Sequence, residues 1–449
     1  MPVTLAAIRP CLEGIIPAAL ASCSADGIPN VTYVSHVHYV DADHVALSYQ
    51  FFNKTRENVL SNPRVTVQVI HPDTGVNYRL ALSYLRTESE GPLFESMKAR
   101  LAGIASHSGM AKVFRLLGSD VYRVLDIETV PGAVLPVDPA PCCRLEALRL
   151  LGVRMQAATD LSDLTADLLA GLERSLDIRH SMVLLFDPDR LVLYTLASRG
   201  YSQSGVGAEI ALGDGVIGVA AQQRVPIRIG HYTQDYAYSQ AVRAGLSSID
   251  RNPLETEIPL PGLPHAQSQI AVPLCQRDKL LGILFTESEL ELRFDANDED
   301  TLVILAQQLA QAMVLLQMNS EEDMAEPVSA VHAVSAPRAP PLNIRHFPAN
   351  DSVFLDGHYL IKGVAGAIFM RLIRDYVLHK RVDFSNKELR LDPELGLPDI
   401  TDNLEARLIL LHRRLDEQQR GVHLEKTGRG RFRLVVMRPI LLQQMAESA

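Results

Sequence analysis

The sequence predicts a multidomain α+β protein with three folded domains, and three observations carry this prediction. The chain has 449 residues, 47% of them hydrophobic and 21% charged, whereas a single domain holds roughly 100–200 residues. Two stretches lack the pattern of a packed helix or a central strand and are predicted to be linkers: residues 132–143 are rich in Pro, and residues 319–341, rich in Pro, Ala and Val, are predicted to be flexible. The hydrophobic periodicity also changes between the remaining blocks, 1–131, 144–318 and 342–438, which are the predicted domains.

The first block predicts a small barrel of antiparallel strands. Five runs are rich in β-branched and apolar residues, and Asp26-Gly27 marks a hairpin turn between the first two runs. Short helices fit residues 54–61 and 92–105. Several strands with only two short helices favour a closed sheet. The predicted strands are Ala18–Cys23, Pro29–Val40, His44–Tyr49, Arg64–Ile70 and Asn77–Thr87.

Two motifs of this block resemble the flavin-binding split barrels of the pyridoxamine-phosphate-oxidase-like superfamily. Residues Ala25–Asn30 precede a long strand, and residues Asn53–Pro63 open a helix. In that family the second motif holds the phosphate of FMN, and a helix N-terminus with free amides, a hydroxyl and cations suits a phosphate. The resemblance implies FMN as cofactor, bound by Ser48, Lys54, Thr55, Arg56 and Asn58.

Other interpretations of this block stay open. The barrel could be degenerate and hold no cofactor. True pyridoxamine phosphate oxidases bind substrate through a C-terminal segment with Trp and Arg, but this chain has no Trp and the block ends at Pro131. His36 and His38 share one face of a strand and could bind haem or a metal, although two histidines alone make a weak site. The adjacent Cys142-Cys143 is either an incidental reduced pair or a redox or metal feature.

The second block alternates helices and strands and resembles a GAF domain, an α/β sandwich, over its whole length. We expect a helix at Leu145–Leu176, a hairpin of Met182–Phe186 with Arg190–Ser198, strands at Gln269–Gln276 and Leu280–Glu287, and a helix after Asp295. The resemblance rests on Leu212–Ala220, Pro226-Ile227, Ile270–Leu274 and Leu281–Leu284. It implies a small-molecule sensory pocket between the sheet and residues Tyr232–His265, and it leaves the ligand open. His231, His265 and Cys275 are isolated, so they do not predict a metal or haem site.

The closing helix of this block carries two apolar faces. One face has spacings of three and four residues, typical of a coiled-coil seam, and consists of Leu302, Leu305, Leu309, Met313 and Leu316. A second face holds Val303, Ile304, Val314 and Leu315. We therefore expect a homodimer through the seam, with a helix packed on its own sheet as the alternative.

The third block predicts a winged helix-turn-helix. Helices fit Val364–Leu378, a segment from Ser385 and a segment after Asp402, and a hairpin follows at Val422–Lys426 and Arg431–Val436. On a helical wheel of the third helix the buried stripe is Leu404, Leu408, Leu411 and Leu415. Residues 342–449 hold 17 of the 43 Lys and Arg but only 14 of the 53 Asp and Glu, so this block is net positive in a chain of net charge −10. Such an asymmetry indicates a nucleic-acid-facing domain.

The segments His412–Leu415 and Gly428–Leu434 resemble the winged-helix effector domains of response regulators. In that family the third helix enters the major groove and the wing follows the DNA backbone, and Arg and Asn are the side chains that read base edges. The turn at 390–400 departs from the family because it holds two prolines. A solvated surface is the alternative interpretation of the exposed arginines. The predicted contacts to double-stranded DNA are Asn403, Arg407, Arg413, Arg414, Lys426, Arg429 and Arg431.

These patterns together predict a one-component transcriptional regulator. No window holds the roughly 18 unbroken apolar residues of a membrane helix, and Arg9, Pro10 and Glu13 interrupt any signal-peptide core, so we expect a cytoplasmic protein. No paired acid–base or metal-ligand set predicts catalysis. The alternatives are a flavin-dependent oxidoreductase with accessory domains, and a scaffold whose winged helix binds protein.

Overall fold

A computed structural model gives the architecture over most of the chain. It describes residues 3–12, 16–34, 37–49, 53–98, 116–136, 144–230, 258–322, 340–348, 350–393, 395, 404–428 and 430–444. Within these ranges, four sheets and the helices packed on them follow one another in three blocks of sequence, which are called here the first, second and third domains.

The first domain is a seven-stranded antiparallel sheet in the order β2-β1-β5-β6-β7-β4-β3. β2 ends at Val34 and β3 begins at Val37, yet these strands lie at opposite edges of the sheet. Three peptide steps span at most about 11 Å, so the edges approach each other and the sheet curls into a barrel. The predicted single strand Pro29–Val40 is therefore wrong. The strands are β1 (Ala18–Cys23), β2 (Pro29–Val34), β3 (Val37–Tyr39), β4 (His44–Tyr49), β5 (Arg64–Ile70), β6 (Asn77–Glu88) and β7 (Gly118–Val130).

The interior of the barrel is apolar because alternate residues of each strand point inward. Leu20, Val67 and Leu80 are fully buried there. A 3-10 helix (Ala6–Leu12) adds buried side chains to the same core, and helix α1 (Lys54–Ser61) packs on β1. Residues 92–98 are also helical.

The second domain is a six-stranded antiparallel sheet in the order β10-β9-β8-β13-β12-β11. Three helices pack on one face and a fourth, α4, on the other, so the sheet has an apolar core on each side. The strands are β8 (His180–Asp187), β9 (Val192–Arg199), β10 (Glu209–Ala211), β11 (Ile227–Ile229), β12 (Ser268–Gln276) and β13 (Lys279–Ser288). The helices are α2 (Arg144–Ala157), α3 (Leu161–Leu176), α4 (Gly215–Gln223) and α5 (Ala296–Glu322).

Two helix predictions in this domain need correction. The predicted helix Leu145–Leu176 is two helices, because the Asp160 side chain accepts a hydrogen bond from the Asp163 amide and starts α3 anew. In α5, Leu302, Leu305 and Leu309 are fully buried within the chain's own core, so the predicted coiled-coil seam is a core stripe. Ile304, Leu315 and Met318 of α5 are exposed instead.

Residues Ala296–Met318 of α5 are long and apolar enough, with a mean hydropathy of 1.5, to pass a length-and-composition test for a membrane span. The core stripe accounts for much of this apolar character. Among the described helices no other passes the test.

The third domain contains two sheets around three helices. The four-stranded sheet has the order β16-β15-β14-β20 and the three-stranded sheet the order β17-β19-β18. The first sheet was not predicted from the sequence. Its strand β20 pairs parallel with β14 and extends the domain to Gln444. The elements are β14 (Leu342–Phe347), β15 (Ser352–Leu355), β16 (His358–Ile361), α6 (Val364–His379), β17 (Asp383–Ser385), α7 (Asn386–Arg390), α8 (Leu404–Gln418), β18 (Val422–Gly428), β19 (Arg431–Val436) and β20 (Ile440–Gln444).

The second and third domains share one core. A single cluster of buried side chains runs from Leu168 and Leu196 of the second domain to Ile368, Leu410 and Leu411 of the third. Helix α8 lies at this junction, in contact with α6, α7 and β18 on one side and with α3 and β9 on the other. Every residue from Ala406 to Leu411 is buried.

Candidate functional site

The first candidate site is the start of α1 in the barrel, where the sequence predicted a flavin phosphate site. Asn53 caps the helix, its side chain accepting a hydrogen bond from the Arg56 amide at 3.0 Å. The Lys54 side chain is 52% exposed, and its Nζ lies 3.2 Å from a Glu57 carboxylate oxygen. Ser48 is exposed near the end of β4. Lys54 and Ser48 are therefore accessible to a ligand.

Arg56 faces the barrel rather than the helix start. Its guanidinium forms an ion pair with Asp120 of β7, in which the two side chains are only 12% and 9% exposed, and it donates to the Thr87 hydroxyl at 2.7 Å. Thr87 in turn donates to Asp120 at 2.6 Å. Burial opposes the charge of Arg56, but the hydrogen bond and charge of Asp120 outweigh it and raise the pKa of the guanidinium. Burial and the nearby Asp120 raise the pKa of the Tyr122 hydroxyl.

Thr55 and Asn58 join α1 to the first hairpin. The side-chain amide of Asn30 donates to the Thr55 hydroxyl at 2.9 Å, and the side-chain amide of the buried Asn58 donates to the Ser22 hydroxyl at 3.2 Å. The five residues carried over from the family are thus divided. Lys54 and Ser48 face solvent, Thr55 is half-buried, and Arg56 and Asn58 hold α1 on the barrel. The resemblance implies phosphate contacts from Arg56 and Asn58, and the structure gives both side chains protein partners instead.

Metal and haem ligands find little support among the residues that the structure describes. No group of three or more His, Cys, Asp or Glu side chains there could hold a metal ion. His38 is buried, and His36, His231 and Cys142-Cys143 lie outside the described residues. His265 is exposed, and Cys275 is a half-buried free thiol whose pKa is raised by burial.

A second candidate site is the sheet face of the second domain opposite its three helices, where the sequence predicted a sensory pocket. The Glu287 carboxylate is buried there and accepts hydrogen bonds from the Leu263 amide at 2.9 Å and the Gln269 side chain at 3.0 Å. Burial raises the pKa of Glu287, and this effect outweighs the two hydrogen bonds, which lower it. The Tyr201 ring lies 5.5 Å from the His180 ring. The role of Glu287 was not predicted from the sequence, although an acidic residue at an inward position of an apolar strand indicates a buried polar group.

The third candidate site is α8, where the sequence predicted contacts to DNA. Arg407 is only 8% exposed. Its Nη2 donates to Asp187 Oδ2 of the second domain at 2.7 Å, and its guanidinium carbon lies 4.6 Å from the centroid of the Tyr194 ring. Arg413 donates to the Leu196 carbonyl and to the Ser162 hydroxyl of that domain. Burial lowers the pKa of Arg413.

The other predicted DNA contacts differ in their environments. Arg414 stays within the third domain, donating to the Leu360 carbonyl at 3.1 Å and to Glu417 at 2.8 Å. Lys426 of β18 forms an ion pair with Asp160 of the second domain, and Arg431 is half-buried. Asn403 and Arg429 lie outside the described residues.

The predicted buried stripe of α8 is confirmed, since Leu404, Leu408, Leu411 and Leu415 are all buried. The prediction that Arg407 and Arg413 face solvent is wrong, because that side of α8 contacts the second domain. A sequence signal was present. At 100° per residue, Ala406 and Leu410 lie between Arg407 and Arg413 on the wheel, and an apolar pair at that position indicates a second packing surface. Leu410 packs closely on Gly207 of the second domain, since a Cβ added to Gly207 would lie 3.4 Å from the Leu410 side chain.

A cavity of about 720 Å³ lies between the second and third domains. Ile258 and Ser204 line it from one side, and Tyr359, Arg414 and Arg420 line it from the other. Ser204 donates to Glu417 across this boundary. The cavity and the α8 contacts therefore belong to one interface.

Comparisons with known families and structures agree with the first two domains. The family model for pyridoxamine 5'-phosphate oxidase matches residues 4–126, and the GAF domain model matches residues 158–314. No curated protein matches the chain.

Three similar solved structures illustrate this likeness, each at low identity and over a part of the chain. The GAF domain of an Acinetobacter phosphoenolpyruvate-protein phosphotransferase is 20% identical, covers 39% of this chain and 95% of its own, and has a TM-score of 0.31. An FMN-binding protein from Syntrophomonas wolfei subsp. wolfei is 18% identical, covers 28% of this chain and 84% of its own, and has a TM-score of 0.25. The free methionine-R-sulfoxide reductase from Neisseria meningitidis is 20% identical, covers 39% of this chain and 91% of its own, and has a TM-score of 0.31. The family matches show that the chain carries a pyridoxamine-phosphate-oxidase-like N-terminal domain followed by a GAF domain.

Proposed function

We propose that this protein is a regulator in which the barrel and the GAF domain sense a small molecule or a redox state and the third domain binds double-stranded DNA. The observation that carries the proposal is the order of the domains along the chain. Two domains of sensory type precede a third domain that has three described helices and a hairpin turned by glycines. Features of the third domain support a winged helix. Ser385 and Glu388 form a complete capping box at the start of α7, and the inward-facing Phe432 stacks on Phe384 at 6.0 Å.

DNA binding is tested on the full chain by fluorescence anisotropy. The probe is a random double-stranded oligonucleotide at low salt, followed by duplexes selected from a random pool. Binding that weakens steeply with salt supports the proposal, because phosphate contacts release counterions. The proposal is wrong if neither kind of duplex is bound at low ionic strength.

We propose FMN as the ligand of the barrel, supported by the family match of residues 4–126. Lys54 and the amides of the first turn of α1 would hold its phosphate. Bound FMN would supply one- or two-electron redox chemistry. The Arg56–Asp120 pair would position α1 from inside the barrel rather than contact the phosphate.

Flavin binding is tested by titrating the protein with FMN and following the quenching of flavin fluorescence. Lys54→Ala should weaken binding about ten-fold, the order expected for one charge-assisted hydrogen bond. Lys98→Ala is the matched control, because Lys98 is also an exposed lysine paired with a glutamate three residues away. Equal affinity of the two variants would exclude Lys54 from the site.

A second candidate function is a sensor whose third domain binds protein. The burial of Ala406 and Leu410 against the second domain favours it, since an apolar helix face suits a protein partner better than a DNA groove. Salt-insensitive binding to a protein with no binding to DNA would support this candidate. Turnover of NAD(P)H by flavin-loaded protein would instead indicate an oxidoreductase.

We also propose a homodimer, now through the exposed apolar residues Ile304, Leu315 and Met318 of α5. Leu315→Lys should yield monomer in analytical ultracentrifugation with the fold unchanged. A monomeric wild type at micromolar concentration would rule the dimer out.

A further inference from the structure

We propose that the GAF domain competes with DNA for one face of α8, so that the docked arrangement is the inactive state of the regulator. This inference rests on the proposed DNA binding and names its regulation. The face is formed by Ala406, Arg407, Leu410, Arg413 and Glu417, which lie within about 120° of arc on a helical wheel. Four of them have partners on the GAF side: Asp187 for Arg407, Gly207 for Leu410, the Leu196 carbonyl for Arg413 and Ser204 for Glu417.

The charges across this interface are complementary. On the GAF side the acidic groups are Asp160, Asp187 and Glu209, and on the third domain they meet Lys426, Arg407 and Lys362. The Lys362 ammonium lies 3.0 Å from Glu209, which Arg190 also holds at 2.8 Å. A carboxylate facing an arginine or lysine occupies the place that a phosphate or base edge would take. The acidic groups of the GAF domain thus cover basic groups that DNA would require.

Beside the shared apolar core, the polar contacts across this interface suit a switch. Arg407 and Asp187 are both taken out of water, and the cost of this desolvation offsets much of their attraction. Asp160 and Asp187 each serve a second purpose within the GAF domain. Asp160 caps α3, and Asp187 Oδ1 accepts hydrogen bonds from the Asp189 and Arg190 amides at 3.2 Å. The GAF fold therefore keeps both residues in place whether or not the third domain is docked.

The variant Asp160→Asn/Asp187→Asn tests the proposal in the full chain. Asparagine keeps the oxygen that accepts the local amides and removes the charge that holds Lys426 and Arg407. When only a fraction of the molecules is binding-competent, the apparent affinity falls by that fraction, so opening the interface should tighten DNA binding about ten-fold or more. The radius of gyration from small-angle X-ray scattering should rise in parallel.

The matched control is Asp163→Asn/Asp189→Asn. Asp163 and Asp189 are exposed residues beside the two tested positions, and the control changes the net charge by the same two units. Any gain in DNA affinity that comes only from less electrostatic repulsion will appear in both double variants. A further variant, Ser204→Asp, places a carboxylate against Glu417 and should open the interface without altering the third domain.

The outcomes separate the two proposals. Tighter DNA binding by Asp160→Asn/Asp187→Asn and by Ser204→Asp, with the control unchanged, supports masking. If wild type and all variants bind DNA equally, masking is overturned and the proposed function stands. If no form binds DNA while scattering shows the interface open, the proposed function fails and masking fails with it.

Discussion

Helices α1 and α8 offer the most instructive comparison in the molecule. Each helix carries residues that were predicted to bind a ligand, FMN for α1 and DNA for α8. Each also carries an arginine that pairs with a buried aspartate: Arg56 with Asp120 and Arg407 with Asp187. The difference lies in where the aspartate resides. Asp120 belongs to the same domain as Arg56, whereas Asp187 and Arg407 belong to different domains. The first pair can break only when the barrel opens, and the second can break when two folded domains separate.

The largest effect should follow from Arg56→Ala. It leaves the buried Asp120 carboxylate without its cationic partner, which should lower the free energy of unfolding by about 3–5 kcal/mol. Chemical denaturation of the full chain measures this loss. Arg79→Ala is the control, because the Arg79–Glu128 pair is half exposed and should contribute about 0–1 kcal/mol. Similar losses for both variants would show that the Arg56 pair does not stabilise the barrel.

Arg407→Ala should have a smaller effect on stability and a different calorimetric signature. Once the third domain undocks, water reaches Asp187, so the loss is limited to about 1–3 kcal/mol. Differential scanning calorimetry should show the GAF and third-domain transitions moving apart, since the shared core no longer couples them. The comparison between α1 and α8 breaks down if Arg407→Ala costs as much as Arg56→Ala without separating the transitions.

Lys426→Ala sharpens the comparison on the ligand side. In the Asp160→Asn/Asp187→Asn background, removing a phosphate contact should lower the slope of log affinity against log salt by about one unit. Selected and random duplexes should be affected alike, because a phosphate contact reads no sequence. Anisotropy titrations at several salt concentrations measure the slope. A loss confined to the selected duplex would assign Lys426 to a base edge instead.

The smallest effect is a dependence of docking on pH. In the docked state Lys426 and the Asp163 amide lower the pKa of Asp160 despite its burial, and Arg190 and Lys362 do the same for Glu209. Undocking removes only Lys426 and Lys362 from these carboxylates, so docking depresses both pKa values further, and this contribution to docking is lost as pH falls below about 4. Scattering should therefore give a constant radius of gyration from neutral pH to about 5 and a rise below about 4. A transition near pH 6 to 7 would point to another titrating group.

Local patterns predicted much of the fold. The leucine stripe of α8 and the strand Arg431–Val436 follow from a period of 3.6 or 2 residues within one element, so the sequence alone sufficed for them. The four-stranded sheet of the third domain was missed because β15 and β16 have four residues each, separated by Asp356-Gly357, too short for a period to stand out. The division of the predicted strand Pro29–Val40 arises from closure of the barrel, which no local window contains.

The candidate sites were harder to predict because their partners are distant in the chain. Arg56 and Asp120 are 64 positions apart, and Arg407 and Asp187 are 220 positions apart. A wheel shows which side of a helix an arginine occupies, but not whether a carboxylate, a phosphate or water will face it. Matches to family models identify the first two domains. The function of the third domain stays a proposal, which a DNA-binding experiment must test.

The parallel pairing of β14 with β20 sets Leu342 beside Ile440 and His346 beside Gln444, so the first and last strands of the third domain are neighbours. Residues 323–339 join this domain to the second domain and can span at most about 60 Å. A flexible tether, which the sequence predicts for residues 319–341, would give the two domains an effective concentration on the order of millimolar. An interface with an intrinsic dissociation constant of about 0.1 mM would then leave roughly one molecule in ten undocked. Basal occupancy of DNA would depend on the length of this tether as much as on the contacts of α8.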